Sequence, residues 1–256
     1  MHTTALWWVL LLFFGTGSDM ENTNLFEGGV LLINKPVEWT SFDVVKKVRN
    51  LLRTHFKVKK IKVGHAGTLD PLASGLLILC TGKFTKRINE FQVQEKEYTG
   101  TFTLGATTPS FDLETKVDKT YPIEHINDEN IQAASKKFKG TFEQYPPIYS
   151  ALKKDGERLY EKARRGEEVQ LDTRKVHIHE FEITRVEMPK TDFRVVCSKG
   201  TYIRSLAHDF GRTLNSGAYL SALSRTRIGN FHLYQAIDIE ILKDYIETQD
   251  IPTSDV

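Results

Sequence analysis

Gly64-His65-Ala66-Gly67-Thr68-Leu69-Asp70-Pro71-Leu72-Ala73-Ser74-Gly75 runs directly into Leu76-Leu77-Ile78-Leu79-Cys80. Three glycines, a proline and small residues surround one carboxylate, so the first twelve residues read as a tight loop. The apolar run reads as a buried strand that fixes where the loop ends. A single carboxylate on a rigid loop edge suits covalent or acid/base chemistry. Asp-Pro alone would signal only a turn; the surrounding string gives Asp70 its weight.

Outward from this loop, residues 30–33 (Val-Leu-Leu-Ile) read as a strand stopped by Asn34-Lys35-Pro36. Thr40 or Ser41 supplies the N-cap of a helix whose Val44, Val45, Val48, Leu51 and Leu52 share one face. Lys46, Lys47, Arg49 and Arg53 occupy the other. Residues 97–104 alternate, with Tyr98, Gly100, Phe102 and Leu104 on one side and threonines on the other, which predicts a half-buried strand. The stretch 106–121 is rich in Thr, Pro and Asp and reads as a long loop. Asp128 is expected to cap a short helix with Ile131, Ala134 and Phe138 inward, ended by Gly140. A basic helix is expected near 159–165 and another helix at 205–214. Strands are expected at 176–178, 181–186, 193–197 and 225–231.

Helices and strands interleave without the regular spacing of parallel βαβ units. That predicts an α+β fold, with a mixed, mostly antiparallel sheet flanked by helices. No GxGxxG or Walker-type glycine loop occurs, which argues against a nucleotide cofactor.

The 256 residues are 40% hydrophobic and 27% charged, the composition of an ordinary globular protein. Net charge is only +2, so its distribution carries the information. Lys57, Lys59, Lys60 and Lys62 cluster, as do Arg158, Lys162, Arg164 and Arg165, with Arg225 and Arg227 later. Such clusters are either solvated faces or a surface that tracks phosphates. Cys80 and Cys197 sit in apolar, strand-like settings without a CxxC or His/Cys cluster. They read as reduced core thiols of a cytoplasmic protein, not as metal ligands. The run ALWWVLLLFF at 5–14 is too short to cross a bilayer as a helix and lacks a preceding Lys or Arg. Translation from Met20 is the preferred explanation over a targeting segment, and residues 1–22 are expected to lie outside the fold.

Four more segments complete a constellation. They are Asn34-Lys35-Pro36, Lys96-Glu97-Tyr98, Pro146-Pro147-Ile148-Tyr149-Ser150-Ala151-Leu152-Lys153 and Ser198-Lys199-Gly200-Thr201-Tyr202-Ile203-Arg204-Ser205. In this order and at these separations, together with GHAGTLDPLASG, they resemble the TruB family of pseudouridine synthases. The resemblance extends from about Gly29 to Phe231. It implies isomerisation of uridine-55 in the T arm of tRNA to pseudouridine, without cofactor or metal.

By that resemblance Asp70 is the catalytic carboxylate, acting either as nucleophile at the sugar or as base toward C2′. Tyr98 stacks on the target uracil and helps move the C5 proton, and Arg204 favours the ionised form of Asp70. His65 fills or contacts the space left when the nucleotide flips out, while Tyr202 and Leu223 line the uracil pocket. Lys35 and Pro36 are expected to shape a hairpin near the site without reacting. The implied domain spans 23–233, with a T-loop-binding insertion at about 121–171. Residues 234–256 are expected to form one short helix on Ile239, Leu242 and Tyr245, too little for the C-terminal PUA module of many bacterial members. The expected partner is the tRNA T stem-loop, with the enzyme a monomer and no membrane involved. Two other classes compete: a T-arm-binding RNA folding chaperone with incidental catalysis, and a nucleoside glycosidase. The glycosidase would need a second placed carboxylate, which the motif lacks.

Overall fold

A computed structural model describes residues 25–248 except Ala151, Asp155, Glu168 and Gln170. The apolar run at 5–14 and the expected start at Met20 lie outside these residues. In chain order come β1 (Val30–Lys35), α1 (Ser41–His55), β2 (Val63–His65), β3 (Ser74–Thr81), α2 (Ile88–Gln92), β4 (Lys96–Leu104), β5 (Ala106–Thr107) and β6 (Lys119–Thr120). Next are α3 (Asp128–Lys137), β7 (Gly140–Gln144), β8 (Lys153–Lys154), β9 (Glu157–Arg158), α4 (Leu159–Arg164) and β10 (Arg174–Glu187). Last are β11 (Lys190–Cys197), α5 (Ile203–Thr213), β12 (Ala218–Ile228), β13 (Phe231–His232) and α6 (Ile239–Glu247). The chain divides into two compact units: one up to Gln94 and again from Arg225, the other Glu95–Ser224.

In the first unit β1 and β3 pair antiparallel, Val30 opposite Cys80 and Lys35 opposite Gly75. The period-two alternation of a strand sorts their side chains to two faces. Leu31, Ile33, Leu77 and Leu79 join Val44, Val45, Val48 and Leu52 of α1 and Ile239, Leu242 and Ile246 of α6. Leu32, Leu76, Ile78 and Cys80 pack on the opposite face with Phe91 and Ile228. The Thr40 hydroxyl accepts from the Asp43 N–H at 3.0 Å, and the Asp43 carboxylate accepts from the Thr40 N–H at 2.9 Å. Such a capping box contributes about 1 kcal/mol and fixes where α1 begins.

The second unit is built on the antiparallel order β4–β11–β10–β7. Its core is aromatic: Phe102 stacks on Phe193 with centroids 4.1 Å apart, and Phe181 meets both edge-on. Helices α3 and α5 cover it through Ile131, Ala134, Leu206 and Phe210. Gly100 interrupts the alternation of β4 because a Cβ there would overlap the Ala222 carbonyl and stand 2.8 Å from the Phe193 ring.

The α+β expectation holds. Named ladders are antiparallel, and parallel contacts occur as isolated bridges at Ile33–Ile237 and Asp112–Leu220. Several boundaries differ from the sequence reading. Strand β10 is continuous over 14 residues where two short strands were expected. Polar His179 lies where the register with β11 shifts, between Ile178 and Glu180, so the break in alternation is a bulge and not a loop. Helix α3 is capped by Asn127, whose side chain accepts from the Asn130 N–H, and Asp128 is its first helical residue. Gly140, at φ +99°, starts β7 beyond the C-cap Phe138. Residues 106–121 are mainly loop, pinned by the short β5–β6 ladder. Cys80 and Cys197 are both buried and free.

Candidate active site

The Asp70 loop spans β2 and β3, which pair with Gly64 opposite Cys80 and His65 opposite Leu79. The Ala66 N–H donates to the Ile78 carbonyl at 2.9 Å and closes its base. Across the tip the Ala73 N–H donates to the Asp70 carbonyl at 3.1 Å, leaving the half-buried Asp70 side chain at the turn. Leu69 anchors the loop from inside. It is buried, and its N–H donates to the Ser41 hydroxyl at 2.9 Å while that hydroxyl lies 3.2 Å from its carbonyl. The loop is therefore tied to the first residue of α1.

Two buried cations hold the rest. Lys35, fully buried at the end of β1, donates to the carbonyls of Trp39 at 2.5 Å, Pro36 at 2.8 Å and Pro71 at 3.3 Å. The Glu38 N–H donates to the same Pro71 carbonyl at 2.8 Å. Burial lowers the Lys35 pKa from its ordinary 10.5 to about 8, against the opposing attraction of Asp70. Arg225, 1% exposed, donates from Nε to the Leu76 carbonyl at 2.8 Å, from Nη2 to Gly67 at 3.1 Å and from Nη1 to Thr68 at 3.4 Å. His65, at the end of β2, has its pKa lowered by burial and by repulsion from Arg225, so its ring is neutral at pH 7.

In the second unit, Tyr98 on β4 pairs with Val195, and both Tyr98 and Leu223 are partly buried against the aromatic core. Tyr202 is the N-cap of α5. Its N–H donates to Gln144 Oε1 at 2.8 Å, and its carbonyl accepts from Gln144 Nε2 at 3.1 Å. The Arg174 guanidinium lies over the Tyr202 ring, 5.2 Å from the centroid. Arg204, the second residue of α5 and 3% exposed, donates to the Tyr149 carbonyl at 2.8 Å and the Ser110 carbonyl at 3.4 Å. Its Nε stands 3.6 Å from an Asp112 oxygen in a buried ion pair. The Ser205 hydroxyl donates to the Tyr145 carbonyl at 2.7 Å. The Pro-Tyr segment is thus fastened at both ends to the start of α5.

The expected site residues fall on both units: His65 and Asp70 on the first, Tyr98, Tyr202, Arg204 and Leu223 on the second. Sequence reading missed Ser41, Asp112, Gln144 and the role of Arg225 in the loop. Arg225 had one signal, since it follows Leu223 by two residues in β12, the repeat of one strand face. The basic helix α4 differs from a bare cationic patch. Arg164 pairs with Glu114 at 3.0 Å, and Arg165 pairs with Glu157 and Glu167 at 2.6 and 2.7 Å. By contrast, Lys57, Lys59, Lys60 and Lys62 are exposed. Among the described residues, no cluster of three or more His, Cys, Asp or Glu is placed to hold a metal, and no helix is long and apolar enough to cross a membrane.

Comparison with known proteins converges on one family. The family model described as "TruB family pseudouridylate synthase (N terminal domain)" matches residues 53–203. The tRNA pseudouridine synthase B of Flavobacterium johnsoniae is 59% identical over 229 residues, which is 89% of this chain and 100% of the relative. Its counterpart in Bacteroides fragilis is 53% identical over 91% of this chain and 100% of its own length. Among solved structures, a chain of a Cbf5-Nop10-Gar1 complex superposes with TM-score 0.65 at 28% identity over 90% of this chain. This chain spans 60% of that neighbour's length. A motif-bearing carboxylate loop, an α+β scaffold and full-length relatives of one name agree: the chain belongs to the TruB family of tRNA pseudouridine synthases, which are isomerases.

Proposed function

We propose that this protein converts uridine-55 in the T arm of tRNA to pseudouridine, with Asp70 as the catalytic carboxylate. The observation that carries the reading is the Asp70 loop itself. Its main-chain carbonyls on both sides of Asp70 are held by buried Lys35 and Arg225, while the Asp70 side chain is only half-buried. A loop fixed from within, with Asp70 only partly buried at its turn, is preorganised for chemistry on a bound base.

In the reaction the C1′–N1 bond of the uridine breaks, the uracil turns, and C5 bonds to C1′. N1 gains a proton and C5 loses one, so the product is an isomer of the substrate. Asp70 either attacks C1′ or takes the C2′ proton. Tyr98 stacks on the uracil and assists the C5 proton transfer, and Arg204 keeps Asp70 ionised. Tyr202 and Leu223 line the base pocket. Neutral His65 occupies the gap left by the flipped nucleotide, a stacking role that needs no charge. Residues of about 121–171 close over the T loop, and the exposed lysines at 57–62 meet phosphates.

The test is tritium release from tRNA carrying C5-labelled uridine, because product and substrate have equal mass. Asp70→Asn keeps size and shape but removes nucleophile and base, so release should fall to background while T-arm affinity stays within about tenfold, roughly 1.4 kcal/mol. Retained turnover would end the catalytic assignment. A loss of binding and turnover together, with the fold intact, would make Asp70 a structural turn residue. A T-arm-binding chaperone would keep its RNA-folding effect in this variant.

A further inference from the structure

Arg225 is the largest of the fully buried side chains among the described residues, and the reaction steps above give it no part. A buried guanidinium is costly unless its donors are satisfied. Here the hydrogen bonds go to three main-chain carbonyls: Gly67 and Thr68 on the way into the Asp70 turn, and Leu76 at the start of the apolar part of β3. The planar fork reaches both limbs of one loop at once, which a point-like ammonium cannot do. Gly67 fits this arrangement. It holds φ +117°, a value L side chains rarely adopt, and a Cβ there would stand 3.6 Å from Arg225 Nη1. The positive charge also reaches Lys35 and His65, lowering the pKa of both.

Resting on the reading of Asp70 as the catalytic carboxylate, we infer that Arg225 is a positioning residue for Asp70. Its guanidinium clamps residues 67–68 to Leu76 and so fixes where the carboxylate stands relative to a bound uridine. Lys35 holds the opposite flank through Pro71 and Ser41 holds Leu69, so loss of Arg225 loosens residues 67–68 while the rest of the loop stays anchored. A carboxylate displaced by a fraction of an ångström loses rate in the chemical step, whereas RNA affinity arises from contacts elsewhere.

The experiment compares the full-length protein with Arg225→Lys, measuring the single-turnover rate constant by tritium release, the dissociation constant for T-arm RNA, and the melting temperature. The rate constant should fall at least tenfold while the dissociation constant stays within threefold and the variant still melts cooperatively. A rate within twofold of the parent overturns the proposal. A dissociation constant that rises in step with the rate loss also overturns it, since Arg225 would then act on binding. Should Arg225→Lys not fold, Arg225→Gln, which keeps an amide donor for the Leu76 carbonyl, is measured in the same way. If neither folds, Arg225 is a determinant of the fold and the positioning role is rejected. Asp70→Asn, run in parallel, separates the two levels. Activity in that variant removes the catalytic reading, whereas an inactive Asp70→Asn beside a fully active Arg225→Lys removes only the clamp.

Discussion

Gln144 grips Tyr202 by both ends of one residue's backbone, accepting from its N–H at 2.8 Å and donating to its carbonyl at 3.1 Å. Gln144 is fully buried at the end of β7, so these bonds fix the entry to α5, where Tyr202 is the N-cap and Arg204 follows two residues later. Only a side-chain amide offers one donor and one acceptor at that length. Gln144→Leu removes the side-chain acceptor of the Tyr202 N–H, at about 1–3 kcal/mol, while the Tyr202 carbonyl keeps the Leu206 N–H at 3.0 Å. Urea unfolding should show a loss of about 1–3 kcal/mol, and kcat/KM should fall because the Tyr202 ring and Arg204 lose part of their mount. Unchanged stability together with unchanged kcat/KM would show that the grip is dispensable.

Arg204 makes a related point about shape and charge. Its Nη1 donates to the Tyr149 carbonyl, and its Nε faces Asp112, so two separate directions are used. Lysine keeps the positive charge but has a single head and no planar fork. Arg204→Lys should lose most of its turnover, by a hundredfold or so, about 2.7 kcal/mol in the barrier. Near-normal turnover would take Arg204 out of the site.

The sequence made the α1 cap, the β3 run and the alternating β4 legible because each rests on local chemistry or on a short period. Gly100 shows where that reading stops. In the sequence it weakens a strand, but in the structure it is required by the approach of Ala222, which lies 122 positions along the chain. The β10 bulge at His179 looked like a strand break because a register shift disturbs alternation just as a loop does. Of the residues proposed for the site, Asp70, His65 and Arg204 were visible through motifs. Ser41, Gln144 and Asp112 were not, since a buried polar side chain that serves a distant backbone has no local pattern.

RNA affinity should depend on salt, but less than a simple sum of the basic residues suggests. The exposed Lys57, Lys59, Lys60 and Lys62 are available for phosphates, whereas Arg164 and Arg165 already pair with carboxylates. Each phosphate neutralised contributes about 0.9 to the slope of log affinity against log salt on duplex nucleic acid. With an isolated T-arm stem-loop the slope should be about 3–4, and this minimal RNA should be modified nearly as well as whole tRNA. A slope near zero, or a strict requirement for the acceptor stem, would contradict the assignment of these lysines to the T arm.

Cys80 gives the protein a predictable alkaline weakness. Burial in β3 raises its thiol pKa from 9.0 to about 11, with Arg87 opposing and Glu90 reinforcing the shift. The neutral thiol is therefore favoured in the folded chain, and the unfolded chain releases its proton first. This contribution is complete below pH 9. It is lost as pH rises from 9 through about 11, at no more than about 1.4 kcal/mol per pH unit for one group. Cys197, raised to about 12 by burial, acts in the same direction and remains in a Cys80 variant. Cys80→Ala should cost about 1–2 kcal/mol at pH 7.5, for the small cavity left between Ile78 and Phe91. Its stability should then decline less steeply than the parent's between pH 9 and 11, so the two curves converge. The measurement is the urea midpoint at half-unit steps across that range. Parallel curves would mean that Cys80 ionises equally in both states and that its burial does not protect the thiol.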